Sequence, residues 1–264
     1  RLTYGYHTTH LNDISTDGTK ILFSTYAEDV TTRPFGKSSY YQLDLNTYKI
    51  DTLVADNGFV DGATYSPDGT QVLFVGSAEA FNEIGKNSNH PIPNAYDKQA
   101  FIMNLTTREV TPITKDFAPS VSVLQWNVAD KHIYFTTDDK DEVNIYRYNT
   151  TKKEFEQLPL EVSVIQRFSL PTQSAATAAY YGQDDHTAGV GYLFDMKKMR
   201  SRLIADPMKP ILENIELGET HEWNFTASDG TTIHGKCCLP PSFDPEKKYP
   251  LIVYYYGGTT PTVK

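Results

Sequence analysis

Short apolar runs alternate with polar turns along the chain, and two such stretches are near copies of each other. Residues 14–23 (ISTDGTKILF) and 65–74 (YSPDGTQVLF) match at an offset of 51 positions. In both, Asp-Gly lies next to an apolar run, and glycine there accepts the positive φ that a tight turn needs. The pattern therefore predicts two β-hairpins of the same design.

This hairpin recurs as part of a four-strand unit. Weaker copies occur at residues 126–135 and 168–180, and each copy is followed by an alternating strand, a short turn and a closing strand. Four strands per unit at this spacing are typical of β-propeller blades, whose faces are buried against neighbouring blades. An ordinary β-sandwich with similar hairpins is the alternative. We expect a mainly β fold with about four four-stranded blades that form part of a larger ring, approximately at residues 10–57, 60–116, 121–160 and 164–206.

The pattern changes after residue 206. Residues 207–219 contain two prolines and predict a linker, and a new hairpin follows around Asp229-Gly230. The run Leu251–Tyr256 (LIVYYY) is apolar or aromatic at every position and stops at Gly257-Gly258, as expected for a buried central strand. α/β sheets place their chemistry at this end of a strand.

Composition narrows the possible functions. The net charge of −9 argues against nucleic acid as a partner, and the longest apolar run has six residues, which is too short to cross a bilayer. The two cysteines, Cys237 and Cys238, are adjacent, so we expect neither a disulfide framework nor a cysteine zinc site. His7, His10 and the acidic run at 138–142 lack the pattern of a metal site. We expect no metal, nucleotide or flavin cofactor.

Three stretches in the last forty residues carry a family resemblance. Residues 228–235 (SDGTTIHG), 240–245 (PPSFDP) and 248–258 (KYPLIVYYYGG) resemble the start of the α/β-hydrolase domain in the prolyl oligopeptidase family of serine peptidases. The Tyr-Tyr-Gly-Gly form is closer to its dipeptidyl peptidase IV-like branch, and the blades resemble the family's N-terminal propeller. The resemblance implies that residues 220–264 are the N-terminal strands of a truncated α/β-hydrolase domain.

The resemblance also implies how the chemistry is divided. Acyl transfer in this family uses a serine in a G-x-S-x-G elbow, then Asp and His further along the chain. The 264 residues contain no such pentapeptide, so we expect the Ser/Asp/His triad beyond Lys264 and no peptidase activity from this chain alone. Within the chain, the resemblance assigns one catalytic role: Tyr256 donates its hydroxyl to the oxyanion. A strand-end tyrosine that only supports the sheet is the alternative.

The expected substrates are short peptides, and the propeller would gate their access to the hydrolase. The branch anchors a substrate amino terminus with paired glutamates, but no adjacent Glu-Glu occurs here, so the exopeptidase or endopeptidase choice stays open. Two long loops, 27–39 and 77–99, are candidates for recognition. Expected partners are the remainder of the same polypeptide, with the missing blades and hydrolase core, or further copies of the chain. The resemblance favours a periplasmic or secreted location over the cytoplasm. A non-catalytic propeller binding module is the alternative function.

Overall fold

The computed structural model describes residues 6–87 and 97–254. Nearly all regular structure in these residues is antiparallel β-sheet, which confirms the mainly β fold class. The described chain divides into two compact units. The first contains residues up to 139 together with 145–158 and 171–175. The second contains 140–144, 159–170 and the residues from 176 onward.

Sixteen strands follow one another in groups of four, here called blades one to four. The first two groups are separate four-stranded sheets, and the strands of the last two belong to one eight-stranded sheet. Blade one comprises β1 (Thr8–Ile14), β2 (Lys20–Glu28), β3 (Gly36–Asp44) and β4 (Ile50–Asn57). Blade two comprises β5 (Val60–Tyr65), β6 (Gln71–Gly76), β7 (Gln99–Asn104) and β8 (Val110–Pro112). After β6 comes a short helical turn, α1 (Ala80–Glu83), whose residues 81–83 have positive φ. Blade three comprises β9 (Ser120–Trp126), β10 (Ile133–Asp139), β11 (Glu142–Asn149) and β12 (Glu154–Gln157). Blade four comprises β13 (Val164–Ser169), β14 (Thr177–Gln183), β15 (Val190–Asp195) and β16 (Arg200–Ala205). Within each blade, every strand pairs with the next one along the chain.

The Asp-Gly turns fold through their side chains as well as their glycines. In blade one, Gly18 has φ +70°, and the Asp17 carboxylate accepts hydrogen bonds from the Ser15 hydroxyl at 2.7 Å and from the Thr19 amide at 3.0 Å. The Ser15 hydroxyl, followed by the amide and hydroxyl of Thr19, lowers the pKa of Asp17 to about 2. The equivalent residues 66, 68 and 70 in blade two repeat these bonds, so the matched sequences give matched turns.

A second turn type repeats in all four blades, between the third and fourth strands. It begins at an Asp or Asn whose side-chain oxygen accepts hydrogen bonds from the backbone amides two and three residues later. The fourth residue after it has a positive φ. Side chains of this type stabilise turns because they replace a backbone acceptor. The turns begin at Asp44, Asn104, Asn149 and Asp195 and place positive φ at Tyr48, Arg108, Lys153 and Met199.

The core of the first unit lies between blades. Val72 and Phe74 of β6 pack in one buried cluster with Leu22 and Tyr40 of blade one. Leu73, between them in sequence, packs in a second cluster with blade three. Because successive strand side chains point to opposite faces, β6 is buried on both sides, and this explains its unbroken apolar sequence.

The loop between β2 and β3 is shorter than the sequence predicted. Residues 27–39 were expected to lengthen this connection, but the two strands continue to pair as far as Glu28 and Gly36. The insertion is therefore mainly an extended hairpin, and its connecting segment is 29–35. Continued pairing satisfies the backbone polar groups that a long open loop would leave to solvent.

The last part of the second unit contains little buried structure. A short helix α2 (Lys209–Leu212) lies inside the predicted linker, and β17 (Thr220–Thr226) pairs with β18 (Thr232–Cys238) to form the hairpin expected around Asp229-Gly230. The strand predicted from Leu251 is not formed over its described residues, 251–254, and Ile252 is 91% exposed. A central strand needs neighbours on both sides, and the described chain provides none for this segment.

Candidate functional site

Tyr256, the one residue assigned a catalytic role from the sequence, lies outside the described residues. The element nearest to it in sequence with defined geometry is the β17–β18 hairpin. Lys236 on β18 directs its ammonium to Asp141 Oδ2 at 2.5 Å and to Asp185 Oδ1 at 3.6 Å, all three within the second unit. One carboxylate of the acidic run at 138–142 therefore has a specific partner. These ion pairs connect β18 to Asp141 and Asp185 of the same unit.

A cavity of about 740 Å³ lies along the inner strands β1, β5 and β9 of the first unit. Its polar lining comes from all three blades and includes Asn12, Asp13, Asp61, Thr64 and Gln125. A volume of this size lies within the range of about 300–1,000 Å³ that is common for ligand sites. The inner face of the three blades can therefore receive a ligand.

Asp13 holds two walls of this cavity together. Its Oδ2 accepts a hydrogen bond from the Thr64 hydroxyl at 2.6 Å and another from the Tyr65 amide at 2.8 Å, which links blade one to blade two. Burial, and secondarily the Asp13 charge, raises the pKa of the Tyr65 hydroxyl above its usual value. The hydroxyl of Tyr65 therefore stays neutral, and it donates a hydrogen bond to Gln42.

The loop after β6 begins with a rigid base. Phe81 packs edge-on against Phe74 and also contacts Phe101, with ring centroids 5.4 and 5.3 Å apart. Phe81 and the next two residues all have positive φ, and three such residues in a row are costly for side chains other than glycine. Aromatic packing offsets this strain. The remainder of this predicted recognition loop, 88–96, lies outside the described residues.

Sequence reasoning missed the cavity. Asp13 and Thr64 occupy equivalent positions in the two matched hairpins, just before the turn, and this polar pair was a usable signal. In the part of the chain that the structure describes, no group of three metal-ligating side chains comes together. No helix among the described residues has both the length and the apolar character needed to cross a membrane.

The sequence of this chain is similar to those of known peptidases. No family model matches the chain. Dipeptidyl-peptidase 5 of Porphyromonas gingivalis is 24% identical over 201 residues, which is 75% of this chain and 27% of that protein. Dipeptidyl peptidase 4 of Trichophyton equinum is 24% identical over 163 residues, which is 55% of this chain and 20% of that protein. The chain is similar to dipeptidyl peptidases of the prolyl oligopeptidase family.

This similarity confirms the resemblance drawn from the motifs. The chain spans about a quarter of the length of these peptidases. Among solved structures, dipeptidyl peptidase 4 of P. gingivalis matches 91% of the chain and 43% of its own length, with a TM-score of 0.50 at 10% identity. TolB of Acinetobacter baumannii matches 78% of the chain and 45% of its own length, with a TM-score of 0.54 at 18% identity. At these identities the structural matches support the fold alone.

Proposed function

We propose that this chain is part of a serine peptidase that hydrolyses short peptides. The observation that carries the proposal is the similarity to dipeptidyl peptidases over 75% of the chain, together with the KYPLIVYYYGG motif. The propeller blades would gate access to the hydrolase domain, and residues 220–264 would begin that domain. The serine, aspartate and histidine of the triad would lie outside these 264 residues.

In this proposal, Tyr256 stabilises the tetrahedral intermediate. When a nucleophile attacks the peptide carbonyl, negative charge develops on its oxygen, and a positioned hydroxyl that donates to this oxygen lowers the barrier. The Gly257-Gly258 pair that follows would let the substrate approach the backbone closely. The Lys236 ion pairs would help to hold the preceding hairpin in place.

Two measurements test the proposal. The intact gene product should be labelled by a fluorophosphonate and should cleave short peptides, whereas the 264-residue chain alone should do neither, because it has no nucleophile elbow. Absence of labelling in the intact product, or of any G-x-S-x-G in its sequence, would favour the non-catalytic binding module instead. Turnover by the 264-residue chain that a substitution within it abolishes would reveal a different site.

The role of Tyr256 has its own test in the intact product. Removing one oxyanion donor lowers kcat by about 10²–10³-fold, so Tyr256→Phe should reduce kcat far more than it raises KM. Tyr254→Phe, two residues earlier on the same run, is the matched control and should leave kcat nearly unchanged. If Tyr256→Phe lowers stability but leaves kcat per folded molecule intact, the tyrosine is structural only.

A further inference from the structure

His132, immediately before β10 in blade three, has a polar partner at each ring nitrogen. Its side chain is 22% exposed. Nδ1 lies 3.0 Å from the backbone carbonyl oxygen of Asp130, and Nε2 lies 3.2 Å from Asn149 Nδ2. Asn149 begins the turn between β11 and β12. The imidazole ring therefore connects this turn to the start of β10.

The turn fixes the orientation of the Asn149 amide group. Its Oδ1 accepts hydrogen bonds from the backbone amides of Thr151 at 3.0 Å and Lys152 at 2.9 Å, so Nδ2 is the group that faces His132. An amide NH2 group donates hydrogen bonds and does not accept them. Nε2 of His132 is therefore the unprotonated nitrogen, and Nδ1 carries the proton and donates to the Asp130 carbonyl. The neutral ring satisfies both contacts.

Protonation of His132 breaks this arrangement. An imidazolium has a donor on each nitrogen, so its Nε2–H would face the Nδ2 donor of Asn149. If the Asn149 amide turns over, its oxygen can accept from the imidazolium, but the backbone amides of Thr151 and Lys152 then lose their acceptor. Asn149 can therefore serve the imidazolium or the turn, but not both.

The equivalent cross-strand pairs in the first two blades lack this conflict. In blade one, Lys20 stands opposite Asp44, and both side chains are charged at neutral pH. In blade two, Gln71 stands opposite Asn104, and neither side chain titrates. Blade three combines a histidine with an asparagine, so one partner changes charge near neutral pH while the other cannot respond.

The charged groups around His132 give the imidazolium a new partner. The Asp130 carboxylate lies 3.4 Å from Nδ1 and favours the cation. This carboxylate also accepts a hydrogen bond from the Tyr134 hydroxyl at 2.6 Å, and Tyr134 in turn interacts with Arg147. The two adjoining turns carry three lysines, Lys131, Lys152 and Lys153. Protonation therefore strengthens the contact with Asp130 and weakens the contact with Asn149.

The turn that Asn149 begins holds the outer strand of blade three. β12 follows this turn and has four residues, and among the described strands it pairs only with β11. Its Phe155 stacks on Phe117 with ring centroids 4.2 Å apart. Because β12 is short and lies at a sheet edge, we expect it to loosen when the turn opens.

We propose that His132 is a pH-sensitive switch for the outer strand of blade three. The neutral ring accepts a hydrogen bond from Asn149 and keeps the turn closed, whereas the imidazolium pairs with Asp130 and releases the turn. Histidine side chains change charge between about pH 5 and pH 8, so the turn closes toward the upper end of this range and opens toward the lower end. The inference is independent of the proposed peptidase activity and needs no substrate.

NMR of the 264-residue chain tests the switch. Near the upper end of the range, about pH 8, the ¹⁵N shifts of His132 should show the proton on Nδ1, which the contact with Asn149 requires. Toward about pH 5, the hydrogen-exchange protection factors of the Thr151 and Lys152 amides, taken relative to the intrinsic rates at each pH, should fall about tenfold, as for loss of one hydrogen bond.

Blade two provides a control within the same molecule. Asn104 Oδ1 holds the amides of Thr106 and Thr107 in the same way, but its cross-strand partner is Gln71. The protection factors of these two amides should therefore stay constant over the pH range. An equal fall in both blades would mean that acid loosens the chain generally, and this would overturn the proposal.

Two substitutions separate the switch from a structural role of the ring. His132→Gln copies the pair of blade two and should keep the blade-three turn protected at every pH. Asn149→Asp keeps the turn, because aspartate begins it in blades one and four, and its second oxygen can accept from the imidazolium. It should abolish the opening and raise the midpoint of the His132 ring titration by about one pH unit.

Thermal unfolding of each variant checks that it folds, and either variant alone is sufficient for the test. The proposal is wrong if the neutral His132 ring carries its proton on Nε2, or if the ring titrates while the Thr151 and Lys152 protection factors stay constant. It is also wrong if His132→Gln loses this protection toward low pH as the parent does.

Discussion

The blades and the C-terminal segment are built from the same kind of hairpin but differ in what covers them. In β6, Phe74 has no exposed surface and lies between the aromatic rings of Tyr40 and Phe81. In the β17–β18 hairpin, Trp223 and Phe225 stack on each other, yet each remains nearly half exposed. The hairpin pattern therefore specifies local pairing, whereas burial depends on neighbouring elements.

The largest expected effect comes from removing a side chain that two blades share. Phe74→Ala should lower the free energy of unfolding by about 3–5 kcal/mol, because it leaves a cavity in a packed core. Trp223→Ala removes a larger side chain but should cost less than about 1 kcal/mol, since much of its surface already contacts water. Urea unfolding of the 264-residue chain measures both. Similar losses would show that the hairpin is packed as tightly as the blades.

The ion pairs of Lys236 are expected to have the next largest effect. Lys236→Ala leaves Asp141 and Asp185 without their shared cation. Because these side chains are only partly buried, the substitution should cost about 1–2 kcal/mol, between the values for exposed and fully buried pairs. The loss should appear as faster amide exchange in β18. Lys209→Ala, which removes an exposed pair with Glu213, is the control and should change nothing measurable.

The two turn glycines give a sharper comparison. Gly69 in blade two and Gly230 in the C-terminal hairpin have φ of +67° and +88°, with no atom near the position of an added Cβ. Alanine at either site is strained by about 1–2 kcal/mol. Gly69→Ala should therefore lower the global unfolding free energy by that amount, whereas Gly230→Ala should affect only local opening of its hairpin. Equal shifts in the urea midpoint would show that the C-terminal hairpin unfolds together with the blades.

The smallest effect concerns the carboxylates of these turns. The pKa of Asp17 is lowered to about 2, chiefly by the hydrogen bond from the Ser15 hydroxyl. The pKa of Asp229 is also lowered, chiefly by the hydrogen bond from the Thr231 amide. Position 227 is alanine where blades one and two carry serine. Ala227→Ser should lower the Asp229 pKa further, and Ser15→Ala should raise that of Asp17, as measured by carboxyl NMR titration.

The sign of the pH effect follows from these pKa values. Because the folded pKa of Asp17 lies below its ordinary value of 3.8, its contribution to stability is present above about pH 4 and is lost as the pH falls toward 2. Ser15→Ala should shrink this acid-dependent part of the stability. An unchanged acid limb would mean that the hydroxyl does not contribute.

Much of the fold was accessible from the sequence because it depends on local signals. Asp17-Gly18 and its copy in blade two predicted turns that form as expected. The second turn type was equally local, since an Asp or Asn begins it in every blade, but its varied composition hid the repeat. The strand predicted from Leu251 is not formed over residues 251–254, because a central strand depends on partner strands that are remote in sequence.

The candidate site was less accessible for the same physical reason. Asn12 and Gln125 are more than a hundred residues apart, and only the packing of three inner strands brings them to one cavity. The bulges that shape this cavity are departures from regular strand pairing. The residue pattern at 11–13 and 123–125 gives no indication of a bulge. Tyr256 came from family resemblance alone, and its role stays a prediction.

The double burial of β6 has a consequence for how such a chain can vary over evolution. Position 73 is constrained by blade three, whereas its neighbours 72 and 74 are constrained by blade one. In an alignment of relatives, adjacent positions of this strand should therefore covary with different partners, 73 with Phe135 and 74 with Tyr40. Each face of such a strand forms part of a core shared with one neighbouring blade. If a gene duplication copies one repeat, the new copy must therefore fit two different neighbours at once.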